Sequence, residues 1–325
     1  MSHDGQIAQM NQQMRSPQST IMWFPNGRES AWKRLRGRLP MVPILFFLTT
    51  LATTTFCGAI HQNINLLEDP WKFYQGLPFS LTLLAILGTH EFGHYGVARY
   101  HGVPVTLPYF VPAPSLIGTF GAFIRIKSLV PNRRVLFDIG VAGPIAGFIV
   151  AVPAVVIGLL LSEVRPATDV TGIGLGSSLL FNGLVSLILG VTPATHDVLL
   201  HPMAFAGWIG FLVTAFNLIP AGQLDGGHMV YALFGRWHRV MTIGCILALL
   251  PLGWWWLGWW VWALVIFLFS GPLVAWRQGW RVAFVHPPLI DETTPLSPAQ
   301  KWVALAALCI FLLTFPPVPF TIPFD

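Results

Sequence analysis

PFSLTLLAILGTHEFGHYGVARY, residues 78–100, is the stretch on which the fold turns. It begins as a mainly apolar run, and then His90, Glu91 and His94 fall within one helical turn. Ionisable side chains in an apolar helix are costly unless they have partners and a task. The surroundings decide what kind of helix this is. The chain has 325 residues, of which 54% are hydrophobic and only 10% charged. A soluble domain carries roughly 25% charged residues. With 24 Phe and 14 Trp, disorder is excluded. Apolar runs recur along the whole chain, separated by short basic or Pro-rich joints. The reading is an all-α polytopic membrane protein with six to seven transmembrane helices. The net charge of +5 then reports cations facing an anionic leaflet and carries no implication of nucleic acid.

Seven spans are predicted, at 41–60, 78–100, 135–161, 204–224, 239–252, 255–273 and 302–316. Pro251-Leu252-Gly253 and the tryptophans at 254–256 and 259–260 favour a tight interfacial turn between the fifth and sixth, with one long helix as the competing reading. Residues 175–188 are read as a re-entrant or interfacial helix. With the polar, basic tail 1–38 in the cytoplasm and the spans alternating, sixteen of the eighteen cations lie inside, leaving Lys72 and Arg165 outside. The tail lacks the short apolar segment and cleavage site of a signal peptide. It is expected to end in a short surface helix carrying Trp32. The expected division is 1–38 as the cytoplasmic tail, 39–77 as the first helix with an external loop, 78–230 as a catalytic core and 231–325 as additional helices.

Residues 104–127 read differently. Pro104, Pro108, Pro112 and Pro114 exclude a helix, and the alternation from Gly118 to Ile126 predicts a small membrane-associated hairpin or loop dipping into the cytoplasmic side. Cys57, Cys245 and Cys309 are far apart without CxxC spacing, so they are expected to be small core residues rather than a disulfide or metal site.

His90-Glu91-Phe92-Gly93-His94 is the HExxH pattern of zinc hydrolases. Histidines at i and i+4 share one helix face and can hold one ion, with the glutamate beside it as a general base. The competing reading is a pair of core histidines bonded to neighbouring helices. A zinc hydrolase needs a third protein ligand and leaves a fourth position to water. Of the thirteen acids, most lie in tails or loops. Asp138 is expected to serve a helix N-terminus. Asp225, after Asn217-Leu-Ile-Pro220-Ala-Gly-Gln-Leu224, remains, although a helix-ending turn residue before two glycines is also credible. Asp225 reaches the depth of His90 only if 175–188 does not cross, which is the topology the cations favour.

With these motifs in hand, the chain resembles the site-2 protease family of zinc-dependent intramembrane metalloproteases. The resemblance rests on His90–His94, on Asn217 with Pro220 and Leu224-Asp225-Gly226, on Gly118–Gly121 as the family's β-loop, and on Ala142-Gly143-Pro144 as its third core helix. It covers about 78–230, in a compact form without a PDZ or CBS domain, similar to bacterial members and plastid relatives. The resemblance implies one Zn2+ on His90, His94 and Asp225, Glu91 as catalytic base, and Asn217 as a second donor to the oxyanion. It implies a transmembrane-helix substrate, cut within the lipid bilayer. Gly118, Thr119, Phe120 and Gly121 are expected to hold the unwound substrate by β-augmentation. The expected location is a multi-pass protein of a bacterial inner membrane, with its N-terminus cytoplasmic. Rival readings are a metalloprotease with a later helical glutamate, a metal or proton transporter, and an inactive homologue that binds membrane helices. His228, His286-Pro287-Pro288 and the last span receive no role.

Overall fold

A computed structural model of the chain describes residues 40–166, 174–191, 196–273, 276, 283–284 and 286–321. The tail 1–38 with Trp32, and the cations Arg277 and Arg281, lie outside the described residues. Helix α1 spans Met41–Ile60, α2 Leu77–Tyr100 and α3 Arg133–Leu160. A 3-10 helix at Pro70–Gly76 leads into α2. Strands β1 (Tyr109–Pro112) and β2 (Thr119–Phe123) lie between α2 and α3. Further on come β3 (Glu163–Pro166), β4 (Gly174–Leu175), α4 (Leu179–Leu189), β5 (His196–Leu199) and α5 (Pro202–Asn217). The chain then forms α6 (Asp225–Phe234), α7 (His238–Leu252), α8 (Gly258–Ser270), α9 (Pro298–Thr314) and β6 (Phe320–Thr321). The architecture is mostly helical, as expected.

Among the described residues, three segments are long and apolar enough to cross a membrane: Met41–Ile60, Arg133–Leu160 and Asp225–Leu252. The last combines α6 and α7 through a 3-10 turn at Gly235–Trp237. Large apolar side chains point outward along the helices, including Leu81, Ile149 and Leu264, each more than half exposed. Water does not tolerate such a surface, whereas lipid does. Trp254 and Trp255 are also exposed, in the turn that separates α7 from α8. That turn supports the two-helix reading of 239–273. Trp260 Nε1 closes it by donating to Leu250 O at 2.8 Å. Helix α4, with 11 residues, is about 16 Å long and too short to cross, in keeping with a re-entrant segment.

The core is built by α2, α3 and α5 around Phe79, Leu83, Ile86, Trp208, Ile209 and Phe211. Helices in lipid gain nothing from burying apolar surface against one another, so close packing of small residues holds them. Gly158 of α3 lies directly against Ala204 of α5, and Gly207 of α5 against Val155. Local signals set the ends. The Asn132 side chain caps α3, Ser178 caps α4, and Ser297 with Gln300 forms a capping box on α9.

Several expectations are corrected. The fourth predicted span, α5, ends at Asn217 and not at 224, because Pro220 and Gly222 (φ +58°) break it. Besides the β1–β2 hairpin, β3 pairs with β5 and β4 with β6, all antiparallel, and these pairs were too short to leave a periodic signal. Asp138 does not serve the α3 N-terminus. It lies in the second turn, contacts His101 Nε2 at 3.0 Å and accepts from Gln300 Nε2 at 2.7 Å, so it joins the end of α2 to α9. The cysteines are free, as expected, but none lies in the buried core: Cys57 and Cys245 are half-buried and Cys309 is exposed. The hairpin does not stop at one end of the layer. Its rings Tyr109 and Phe110 meet Phe46 and Phe47 near the start of α1, and its turn meets Thr53 and His61 at the other end.

Candidate metal centre

His90 and His94 lie one turn apart on α2, which brings their Nε2 atoms to 3.1 Å. Asp225 comes from elsewhere. It is the first residue of α6, and its Oδ2 lies 3.2 Å from His90 Nε2 and 3.3 Å from His94 Nε2. The expected span 204–224 would carry Asn217 and lead straight into Asp225. They stand instead on α5 and α6, and the turn between them swings Asp225 toward α2. Gly226 and Gly227 permit the turn, because a Cβ on either would collide with backbone carbonyls of residues 218–222.

The three donor atoms form a nearly equilateral triangle. Tetrahedral bonds of about 2.0–2.1 Å, the zinc–nitrogen and zinc–oxygen range, imply edges of about 3.3 Å. Protonation alone accounts for the triangle poorly. If both imidazoles donate to the carboxylate, their nitrogens face each other as two donors. The tautomer of His94 decides further. Its Nδ1 lies 2.6 Å from Ile139 O, and a carbonyl only accepts, so Nδ1 carries the proton and Nε2 presents a lone pair. A backbone acceptor behind a ligating histidine is the usual way of aiming it at a metal. Both histidines are buried, and Asp225 is mostly buried. The residues therefore fit a single zinc ion, and among the described residues no other group of three or more His, Cys, Asp or Glu could hold one.

Helix α3 makes room for this triangle. A Cβ at Gly143 would overlap the His94 ring, and one at Gly147 would press on His90 at 3.2 Å. Sequence reasoning gave Gly143 only a place in a family motif and missed Gly147. The spacing Gly140, Gly143, Gly147 along one helix was a readable sign of close approach.

Glu91 is 7% exposed and interacts with His90, His94 and Asp225. The backbone N–H of Ile124, just beyond β2, lies close enough to interact with this carboxylate. The hairpin thus ends at the catalytic candidate. Asn217 Nδ2 reaches to 3.4 Å from His90 Nε2, at the border of the triangle. The four hairpin positions differ among themselves. Gly118 (φ +79°) abuts α1, and Thr119 is buried, donating to Val111 O at 2.7 Å. Phe120 is 77% exposed, and Gly121 (φ +98°) has open space around it.

The histidines without an expected role meet one another. His228 Nδ1 and His286 Nε2 are 2.7 Å apart, and the His286 ring stacks on Tyr231 at 4.2 Å. Tyr231 donates its hydroxyl to Glu292 at 2.8 Å. Residues 286–292 are thereby fastened to α6, the helix that carries Asp225. Burial pushes His286 down to about 3. Nothing short of the tertiary structure joins positions 58 residues apart in a chain with ten histidines.

Comparison with known proteins identifies the family. Residues 78–249 match the model of Peptidase family M50. The chain is 34% identical over 274 residues to "Probable zinc metalloprotease EGY2, chloroplastic" of Arabidopsis thaliana, covering 80% of this chain and 44% of that protein. It is 34% identical over 310 residues to "Probable zinc metalloprotease EGY1, chloroplastic" of the same plant, covering 86% and 53%. The EGY2 protein of Oryza sativa subsp. indica is 34% identical over 312 residues, covering 90% and 53%. The chain thus spans about half the length of these relatives. With the family model covering more than half the chain, the chain belongs to Peptidase family M50, the site-2 proteases.

Proposed function

We propose that the chain is a zinc-dependent intramembrane endopeptidase that cleaves transmembrane segments of other membrane proteins. The observation that carries this reading is the His90–His94–Asp225 triangle with Glu91 beside it. Bound there, zinc supplies Lewis acidity to a carbonyl and lowers the pKa of water toward neutrality. Glu91 takes a proton from the attacking water and delivers it to the leaving amine as the peptide C–N bond breaks. The Ile124 N–H lies beside this carboxylate and interacts with it. Asn217 Nδ2 donates to the oxygen on which charge develops.

A substrate helix hides its carbonyls in i to i+4 bonds and must unwind before attack. The open edge of β2, between Gly118 and Gly121, takes the unwound segment as an added strand and leads it past Ile124 to Glu91. In this reading α1, α2, α3, α5, α7, α8 and α9 cross the bilayer, α4 re-enters it, and residues 78–230 form the catalytic core. The basic tail lies on the side that bears the anionic leaflet, in a bacterial inner membrane or an organellar one such as the relatives' names indicate.

The test uses purified wild type and Glu91→Gln with a reporter transmembrane segment. Both proteins should carry one zinc per chain, and only wild type should cut, with a loss of at least about 10²-fold in the variant. Cleavage that persists in Glu91→Gln would overturn the reading.

A further inference from the structure

Helix α1 lies outside the segment matched by the family model, yet the hairpin turn is tied to it. Thr53, Cys57 and His61 follow one another at four-residue spacing, along one face at the end of α1. Each donates to a backbone carbonyl of the turn between β1 and β2. Thr53 Oγ1 lies 2.7 Å from Gly118 O, Cys57 Sγ 3.3 Å from Ser115 O, and His61 Nε2 2.7 Å from Leu116 O. These carbonyls belong to a stretch where Pro112, Pro114 and the positive φ of Gly118 interrupt the ladder.

Three side-chain bonds and one backbone contact hold this turn. An open cleft of about 790 Å³ lies beside them, lined by Phe56, Ile60, Pro112, Ala113 and Pro114 together with the three donors. Backbone meets backbone at Gly118, where a Cβ would stand 2.6 Å from Thr53 O. At its opposite end the hairpin runs into Ile124, which packs against the core cluster holding Ala98 of α2 and Val135 of α3, with its N–H beside the Glu91 carboxylate. A strand passes displacement along its length, and a slip of one residue turns every side chain to the other face.

We propose that Thr53, Cys57 and His61 are positioning residues that fix the register of the β2 edge against Glu91, and thereby select which peptide bond of the substrate is cut. This rests on the intramembrane protease reading. The hairpin is a ruler anchored at its far end, and the anchor belongs to the first helix rather than to the catalytic core.

The test uses full-length Thr53→Val, Cys57→Ala and His61→Phe, singly and combined, with Thr53→Ser as the conservative variant. The His61→Phe change retains a ring for the edge contacts with Phe79 and Phe205. Zinc content and the thermal midpoint report folding. Hydrogen exchange across 109–123 should rise about fivefold per bond removed. With the reporter segment, KM should rise at unchanged kcat, and mass spectrometry of the products should find cleavage spread to neighbouring bonds. Thr53→Ser should restore the single cleavage position. Unchanged exchange in the combined variant, or a lower kcat at one unshifted bond, would overturn the proposal. Should wild type fail to cut the reporter, the protease reading falls, while the exchange measurement still decides whether the three side chains anchor the turn.

Discussion

At the scale of single residues, the centre depends on one proton and on two absent side chains. The Ile139 carbonyl behind His94 commits its Nδ1 to donate and frees Nε2 to face Asp225. Gly143 leaves the space in which that ring sits. Gly143→Ala should therefore displace His94 and bring zinc well below one per chain, measured by metal analysis of the purified protein. Gly96→Ala is the matched control, since a Cβ there meets nothing. It should keep full zinc and stabilise α2 by about 0.5–1 kcal/mol. Equal zinc in both variants would mean that Gly143 does not shape the site. Removal of the ion by a chelator should abolish cleavage and leave the helical circular-dichroism signal intact, because the core packs through side chains away from the triangle.

At the scale of elements, the contact between α6 and residues 286–292 responds to pH. The buried His286 has its pKa lowered from 6.5 to about 3, chiefly because burial disfavours the charged ring. The unfolded form binds a proton that the folded form refuses between these values. Stability from this contact is thus present above about 6.5 and lost as pH falls toward 3. The hydrogen-exchange protection of 286–292, corrected for the intrinsic pH dependence of the amides, should fall through that window, and His286→Phe, which can still stack on Tyr231, should weaken the dependence. The seam between α3 and α5 makes a second prediction. Gly158→Leu would drive a side chain into Ala204 and should cost about 1–3 kcal/mol or more, read as a lower thermal midpoint in detergent.

At the scale of the whole molecule, the proposed orientation rests on the cations, and the site lies where two distant helices meet. The proposed topology puts the tail and the 3-10 segment Pro70–Gly76 on opposite faces. In a chain freed of its own cysteines, a membrane-impermeant maleimide should label Ser16→Cys and Lys72→Cys from opposite sides of a sealed vesicle. Labelling of both from one side would overturn the orientation and with it the assignment of α1 as a single crossing. The Lys72–Asp69 pair at 2.6 Å is exposed and adds little to stability, so this substitution is a mild one.

Much of this was legible in the chain before it folded. The apolar runs placed most helices within a few residues, because crossing lipid demands that backbone groups be satisfied inside each segment. The HExxH spacing brought His90, Glu91 and His94 together, since one turn of helix is a local geometry. Asp225 was found by elimination among thirteen acids, although its helix was misread. What only the tertiary structure decided are the relations between segments distant in sequence. The chain break at Pro220 and Gly222 that turns Asp225 toward α2 is one, and the glycines of α3 beneath the histidine rings are another. The anchoring of the hairpin by α1 and the meeting of His228 with His286 are two more. Periodicity and composition act over a few residues, whereas these contacts follow from how whole helices pack, and a linear pattern carries no record of that.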